Sequence, residues 1–148
     1  MIAWRISNYR TLDGLGGLRA AGRWHSRGRR IVYLAANPAT ALLEFMVHNE
    51  LTAEQFPLRV QFLKIDLPDA ATREALRRDE LAADWHRQPN WSQRLGDAWL
   101  AAGRSLLYFV PSVLVPETDN ILFNPAHPEV AGARILDIVR YALDERLA

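Results

Sequence analysis

The sequence predicts an α+β fold, with one compact domain over residues 1–148 and a mostly antiparallel sheet with flanking helices. A length of 148 residues is that of one ordinary domain, and 49% apolar and 24% charged residues are close to the average of soluble globular proteins. Strand and helix patterns follow one another irregularly, without the βαβ alternation of parallel sheets. No Gly-x-Gly-x-x-Gly follows a strand pattern and no loop ends in Gly-Lys-Ser/Thr, which argues against Rossmann and P-loop domains.

The N-terminal part of the chain has turn signals between short apolar segments. We expect a strand at residues 2–6 and a turn or mobile loop at 13–17, where the sequence is Asp-Gly-Leu-Gly-Gly. Residues 22–26 and 31–34 are predicted to be two strands of a hairpin, because a Gly-containing turn at 27–30 separates them.

The clearest helix signal is Asn37-Pro38, with Asn at the N-cap position and Pro at the first helical position. This helix is expected to run to about Glu50 with a broad apolar face. Pro57 is then expected to restart the chain as a strand that continues to about Asp66, because apolar and polar residues alternate there.

The second half begins with a charged segment, 72–84, that is predicted to be helical. Pro89 opens a further helix that ends at Gly103. A buried strand is expected at 105–110, interrupted at Pro111-Ser112 and resumed at 113–115, and residues 120–124 lead into a rigid polar turn at 124–128. Residues 134–143 fit the periods of a helix and of a strand, and their β-branched content favours the strand.

Composition excludes several classes of function. With 18 Lys and Arg against 17 Asp and Glu, the net charge is only +1, which counts against a nucleic-acid binder. The absence of cysteine removes disulfides, thiol nucleophiles and zinc ribbons, and the four histidines are scattered without a His-Glu-x-x-His pattern, so we expect no metal. No apolar run approaches the ~20 residues of a membrane span and no secretion signal is recognisable, so we expect a cytoplasmic protein.

Glu44 is the most unusual residue, because it lies within Ala-Leu-Leu-Glu-Phe-Met-Val at 41–47. A carboxylate among apolar side chains is costly unless it has partners, although a boundary residue that reaches solvent is equally compatible with the sequence. His48, four residues further on, suggests a helix salt bridge rather than a catalytic pair. Ser112, by composition alone, is a turn serine.

Two further residues have a chemical and a plain structural interpretation. The guanidinium of Arg23 could fork onto a phosphate or ribose, or simply lie on the surface of an edge strand. The ring of Tyr33 could stack on a flat heteroaromatic group, or belong to the core. The basic segment 27–30 could contact phosphate, but a solvated turn is the simpler interpretation.

Taken in order, the motifs of the chain resemble the RES domain family. The resemblance rests on Gly-Arg-Trp-His-Ser-Arg-Gly at 22–28, Ile-Val-Tyr-Leu-Ala at 31–35, the segment 38–48 with Ala-Leu-Leu-Glu, Val-Pro-Ser at 110–112 and Asn-Ile-Leu-Phe-Asn-Pro-Ala-His-Pro at 120–128. It covers nearly the whole chain. The Arg, Glu and Ser after which the family is named fall on Arg23, Glu44 and Ser112. Tyr33 is their usual aromatic companion.

The resemblance implies further roles for individual residues. Arg5 matches an additional arginine of the family near the N-terminus, and Trp24 and Ser26 belong to the motif that we expect to bind NAD together with Arg5, Arg23 and Tyr33. The family usually has Asn where this chain has His25, which leaves the role of that position open.

The resemblance also implies a function: a toxin of a toxin–antitoxin pair, with a fold similar to ADP-ribosyltransferases, that breaks down cellular NAD by hydrolysis or phosphorolysis. NAD is then a substrate rather than a cofactor, and inorganic phosphate is a possible co-substrate. The implied partner is an Xre-like helix-turn-helix antitoxin that blocks the site and provides the only link to nucleic acid, with a homodimer possible in the complex.

The chemistry of NAD cleavage suggests how the residues would act. Positive charge builds up on the ribose as nicotinamide leaves, so Glu44 would stabilise that charge. Tyr33 would stack on nicotinamide, Arg5 and Arg23 would hold the pyrophosphate or ribose oxygens, and Ser112 would bind the ribose or fix Glu44. We expect Arg5, Arg23 and the basic turn at 27–30 to form a cationic mouth beside Tyr33 and Trp24.

Three alternatives remain open at the level of sequence. The same site could transfer ADP-ribose to a protein, as at least one branch of the family does. A ribonuclease toxin could use Glu44, His48 and the basic segment 27–30. A non-catalytic binding module would leave Glu44 as a structural boundary residue.

Overall fold

The computed structural model describes residues 1–56 and 58–148, and Pro57, predicted to restart the chain as a strand, lies outside the described residues. The strands are β1 (Ile2–Ile6), β2 (Val32–Ala35), β3 (Arg59–Asp66), β4 (Arg73–Ala75), β5 (Leu107–Pro111), β6 (Asp119–Phe123) and β7 (Arg134–Ala142), and the helices are α1 (Gly16–Arg19), α2 (Pro38–His48) and α3 (Pro89–Ala102). The strands form one sheet in the order β4-β5-β6-β2-β1-β3-β7. Only the β4–β5 pair is parallel among the described residues, so the predicted α+β class with a mostly antiparallel sheet is confirmed.

Helix α2 begins where the sequence predicts it. The side chain of Asn37 accepts a hydrogen bond from the backbone N–H of Thr40 at 2.8 Å, and Pro38 is the first helical residue. The helix ends at His48, two residues before the predicted Glu50, because Glu50 adopts a left-handed conformation with φ of 47°. Apolar residues of α2 pack on one face of the sheet against Trp4 and Ile6 of β1.

Helix α3 also has its predicted ends. Pro89 is its first residue, and Gly103 follows its last with φ of 60°, a left-handed conformation that glycine adopts without steric cost. The helix carries Trp99 into an aromatic cluster with Trp24, Trp85 and Tyr108. This cluster covers the same face of the sheet as α2, at the other end.

The predicted hairpin of residues 22–26 and 31–34 is wrong in its first half. The second strand exists as β2, whereas residues 22–25 form a tight turn closed by a single bridge between Gly22 and His25. The physical reason is α3, whose Ser92 hydroxyl donates to the Arg23 carbonyl at 2.6 Å and whose Gln93 amide donates to the Gly22 carbonyl at 3.0 Å. These backbone groups are therefore bound by a helix instead of a neighbouring strand.

Two predictions in the second half are also wrong. Residues 72–84 contain no α-helix: Arg73–Ala75 is β4, held beside β5 by hydrogen bonds such as that from the Leu107 N–H to the Thr72 carbonyl, and a 3-10 turn follows at Arg78–Glu80. β5 continues through Pro111, and residues 113–115 are not a strand, because the Ser112 hydroxyl accepts the backbone N–H groups of Leu114 and Val115 and turns the chain. The loop expected at 13–17 runs into the short helix α1.

The C-terminal segment is a strand, as its β-branched content predicts. β7 pairs with β3 along its whole length, for instance with Val139 opposite Phe62. No helix in the described residues is long and apolar enough to cross a membrane.

Strand register decides which side chains share a face of the sheet. Trp4 lies opposite Ala35 and Ala35 lies opposite Asn120, so these residues, with Tyr33 two positions from Ala35, point to the face that α2 covers. The strip of β2 and β6 between α2 and the aromatic cluster carries the candidate site.

Candidate active site

The carboxylate of Glu44 has the partners that its apolar surroundings require. Its Oε1 accepts a hydrogen bond from the Ser112 hydroxyl at 2.7 Å and another from the Asn120 side-chain amide at 2.9 Å. No described residue donates a hydrogen bond to Oε2, and the side chain is half-buried. Glu44 is therefore held by one oxygen, and its other oxygen is free for a ligand.

Ser112 is buried, with 1% of its surface exposed, directly after β5. Its hydroxyl donates to Glu44 and accepts from the backbone N–H groups of Leu114 at 3.1 Å and Val115 at 3.3 Å. The single proton of the hydroxyl is thus directed to Glu44. Of the two roles expected for Ser112, fixing Glu44 and binding a ribose, the observed contact matches the first.

Asn120 is the member of this group that sequence reasoning missed. It lies on β6 opposite Val110 of β5 and Ala35 of β2, which hold its backbone on both sides. A carboxylate only accepts hydrogen bonds, so the atom that faces Glu44 is the Asn120 nitrogen and Oδ1 points elsewhere. The available signal was a polar residue on the same strand face as Leu122, which is fully buried.

Tyr33 is locked in place by His25. The Tyr33 hydroxyl accepts from the Trp24 backbone N–H at 3.1 Å and lies 2.7 Å from Nδ1 of His25. His25 Nε2 lies 2.9 Å from the Ala20 carbonyl, which only accepts, so Nε2 carries a proton. In the neutral tautomer with this proton, the Tyr33 hydroxyl donates to Nδ1. Burial raises the pKa of Tyr33 well above its ordinary value, which keeps this donor protonated.

Arg23 lies beside Tyr33, where its charge opposes the rise in the pKa of that hydroxyl. Its Nη2 donates to the His86 carbonyl at 3.2 Å, whereas Nη1 is buried without a partner among the described residues. The turn that carries Arg23 packs tightly on α3, since a Cβ at Gly96 would lie 1.6 Å from the Trp24 carbonyl oxygen. The backbone that carries the Arg23 guanidinium is therefore fixed in place, and its Nη1 is available to donate to a ligand.

Three residues predicted to bind NAD lie elsewhere. Arg5 pairs with Leu63 on β3 and alternates with Trp4, so its side chain belongs to the opposite face of the sheet from Glu44, where burial lowers its pKa. The Trp24 ring is 1% exposed and packs against another tryptophan in the aromatic cluster. The Ser26 N–H and hydroxyl both donate to Asp97 of α3.

The basic turn does not form the cationic mouth predicted for it. Arg29 pairs with Asp97 at 3.3 Å, and Arg30 donates to the Asp13 carbonyl at 2.8 Å. Two guanidinium groups of the basic turn therefore bind other parts of this chain. In the described part of the chain, Glu44 makes no ion pair with His48, and its Oε1 is bound by Ser112 and Asn120 instead of the predicted helix salt bridge. Nor do any three His, Asp or Glu side chains there converge as metal ligands.

A cavity of about 320 Å³ is lined by other residues. Its walls come from β1, β3, β7 and the start of α2, and are Trp4, Pro38, Phe62, Lys64, Asp137, Val139 and Tyr141. It shares no residue with the group around Glu44. The candidate site is therefore distinguished by its polar groups rather than by an enclosed volume.

Comparison with known proteins gives a consistent result. The RES domain family model matches residues 2–144. A Pseudomonas putida protein named Toxin Res is 44% identical over 147 residues, which are 99% of each chain. A Sphingobium protein named Prs ADP-ribosylating toxin is 36% identical over 154 residues, with 97% of this chain and 94% of that protein covered.

The fold has a solved counterpart at low sequence identity. A chain in the crystal structure of the Mycobacterium tuberculosis MbcT–MbcA toxin–antitoxin complex superposes with a TM-score of 0.73 and 19% identity, covering 99% of this chain and 85% of that chain. At this identity, the likeness concerns the fold alone. With a family model matched from residue 2 to residue 144, the chain belongs to the RES domain family, among relatives named as toxins.

Proposed function

We propose that this chain is the enzymatic toxin of a toxin–antitoxin system and that it cleaves the bond between nicotinamide and ribose in NAD, with water or phosphate as the acceptor. The observation that carries the proposal is the Glu44 carboxylate, held at Oε1 by Ser112 and Asn120 with Oε2 free. Relatives named as toxins, at 44% and 36% identity, support the toxin part of the proposal.

The reaction needs what this carboxylate can supply. Nicotinamide leaves as a neutral molecule, so positive charge develops on the ribose in the transition state. A negative group that is already oriented toward that charge stabilises the transition state more than the substrate. Half-burial strengthens the interaction, because less water screens it.

The neighbouring residues fit the remaining parts of NAD. Nη1 of Arg23, which is buried and has no partner in the part of the chain that the structure describes, would donate to a pyrophosphate oxygen. The hydroxyl of Tyr33 is occupied by His25, which leaves the ring for stacking on nicotinamide. We leave Arg5, Trp24 and Ser26 out of the proposed site, because their side chains lie on the opposite face, in the core or against Asp97.

The test is turnover of NAD by the purified protein and by a Glu44→Gln variant. The glutamine oxygen can still accept from Ser112 and Asn120, which directs its NH2 group toward the ribose in place of a negative charge. We expect turnover to fall by ~10² to 10³-fold. Glu74→Gln is the matched control, since Glu74 accepts from a buried serine, Ser105, at 2.7 Å outside this site. Near-normal turnover by a folded Glu44→Gln variant would remove Glu44 from the mechanism.

The acceptor is identified from the products. With NAD alone, hydrolysis yields nicotinamide and ADP-ribose, and addition of inorganic phosphate yields ADP-ribose 1″-phosphate if phosphorolysis is the reaction. A protein acceptor is a second candidate, because a relative at 36% identity is named an ADP-ribosylating toxin. In that case the purified protein consumes NAD slowly when no acceptor protein is present. When a cellular extract is added, ADP-ribose becomes attached to proteins of the extract.

We also propose an antitoxin partner, of Xre type, that covers the site. The support is the fold, which resembles a chain from a complex of a toxin with its antitoxin. An acidic group of the antitoxin would pair with Arg23, whose Nη1 finds no partner within residues 1–56 and 58–148. Saturating antitoxin is then expected to prevent NAD binding, and Arg23→Ala to weaken both ligands. A stable ternary complex of toxin, antitoxin and NAD would show that inhibition acts at a distance.

A further inference from the structure

We propose that Asn120 is a substrate-binding residue whose side-chain carbonyl accepts a hydroxyl group of the nicotinamide ribose, next to the hydroxyl that Glu44 takes. The inference rests on the proposed NAD-cleaving function and adds a residue to its binding site. It assigns the ribose diol, rather than the base or the pyrophosphate, as the part of the substrate that this end of the site recognises.

The orientation of the Asn120 amide follows from its neighbour. Its nitrogen donates to Glu44 Oε1 at 2.9 Å, and the opposite orientation would place two acceptors against each other. Pairing of β6 with β2 and β5 holds the backbone of Asn120 between Ala35 and Val110. Oδ1 is therefore directed away from Glu44 Oε1 by a bond that the fold maintains.

Oδ1 of Asn120 is buried and has no hydrogen-bond partner among the described residues. In residues 1–56 and 58–148, only one other buried side-chain polar atom lacks a partner, Nη1 of Arg23. An unpaired buried polar group costs about 1–3 kcal/mol, so folded proteins rarely keep one. Here one donor and one acceptor are left unpaired, and both belong to residues of the candidate site.

The chemistry of the ligand follows from the type of atom. Oδ1 accepts, so its partner must carry a proton, which a pyrophosphate at neutral pH does not. The nicotinamide ribose carries two neighbouring hydroxyl groups, and Glu44 Oε2 and Asn120 Oδ1 are two acceptors joined through one hydrogen bond. A vicinal diol can donate one hydroxyl proton to Glu44 Oε2 and the other to Asn120 Oδ1. Because Oδ1 is buried, we expect the side chains around it to shift as the substrate binds.

The experiment compares NAD with two analogues that lack either the 2′ or the 3′ hydroxyl of the nicotinamide ribose. kcat/KM is measured for each substrate with the wild-type protein, Asn120→Ala and Ser112→Ala. The ratio of NAD to analogue within each protein is compared between proteins, so that the intrinsic reactivity of the analogue cancels. Ser112→Ala is the control for indirect effects, because it removes the other donor to Glu44 Oε1 and leaves the Asn120 carbonyl in place.

For one of the two analogues, we expect the ratio of NAD to analogue to be ~10-fold smaller in Asn120→Ala than in the wild type and nearly unchanged in Ser112→Ala. Asn120→Leu, which has nearly the same shape but no acceptor oxygen, is expected to show the same smaller ratio as Asn120→Ala. It also serves if Asn120→Ala does not fold.

Equal ratios in the wild type and Asn120→Ala overturn the inference, and so does the same change of ratio in Asn120→Ala and Ser112→Ala, since Asn120 would then act only through Glu44. If Asn120→Leu is the variant available, a ratio equal to that of the wild type overturns it. A wild-type protein that does not turn over NAD refutes the proposed function instead.

Discussion

Two buried serines of this chain provide a matched pair for testing the role of Ser112. Its hydroxyl donates to Glu44 at 2.7 Å, and the hydroxyl of Ser105 donates to Glu74 at the same distance. The two residues are 1% and 2% exposed, at opposite ends of β5. Substitution of either by alanine removes a hydroxyl that donates to a carboxylate and accepts from N–H groups, from Leu114 and Val115 at Ser112 and from the Trp99 indole at Ser105. Only one of the two carboxylates belongs to the candidate site.

The expected magnitudes follow from these contacts. A hydrogen bond to a charged group contributes about 1.5–3 kcal/mol, so each substitution is expected to lower the free energy of unfolding by an amount of this order. If Ser112 orients Glu44 for the transition state, the same energy is lost from catalysis, and kcat falls by ~10 to 150-fold, since about 1.4 kcal/mol corresponds to a factor of ten. KM is expected to change little, because the interaction develops in the transition state.

The assay combines urea unfolding with release of nicotinamide from NAD. Ser112→Ala and Ser105→Ala are expected to be destabilised alike, while only Ser112→Ala loses turnover per folded molecule. Two results would refute this reasoning. One is full turnover by folded Ser112→Ala, and the other is an equal loss of turnover in both variants, which would attribute the effect to general loosening of the sheet.

Three further predictions concern the parts that hold Tyr33 and Arg23. Tyr33→Phe leaves the Trp24 N–H unpaired, and we expect a loss of about 1–3 kcal/mol in unfolding free energy with turnover largely kept, whereas Tyr33→Ala, which removes the stacking ring, is expected to abolish turnover. Gly96→Ala places a Cβ 1.6 Å from the Trp24 carbonyl and is expected to lower the melting temperature strongly, while Gly16→Ala, where a Cβ meets nothing within 4 Å, is the control with little change. Arg23→Lys is expected to raise KM for NAD at least several-fold, because an ammonium cannot donate to the His86 carbonyl and to a pyrophosphate oxygen with the fixed geometry of Nη2 and Nη1, and an unchanged KM and kcat would count against this role.

The elements that the sequence predicts correctly are those with short-range causes. Asn37 caps the very next turn of α2, and Gly103 adopts the left-handed conformation that ends α3. The β-branched residues of 134–142 favour the strand in which they are found. Segment 72–84 fails for the opposite reason, since its three-residue strand β4 exists only through pairing with β5, which is more than thirty residues away in the chain.

The site residues also divide into those that the sequence identifies and those that only the tertiary structure places. The sequence alone identifies Glu44 as a carboxylate that needs partners, because burial among Leu, Phe and Met is costly wherever the chain folds. Family resemblance adds Ser112, Tyr33 and Arg23 as residue types in a recognisable order. It also suggested Arg5, and alternation along β1 places that side chain on the other face, which no residue type could indicate.

Tertiary structure alone decides which atoms meet. Ser112 and Asn120 reach Glu44 across 68 and 76 residues of sequence, and both contacts depend on the order in which β5, β6 and β2 pair and on the position of α2 above them. Strand order is a global property, set by the packing of both faces of the sheet, whereas caps and turns are set by a few adjacent residues. For this reason the sequence determined the family, the class of fold and the carboxylate at the centre of the site, and the assembled sheet decided that Asn120 belongs beside it.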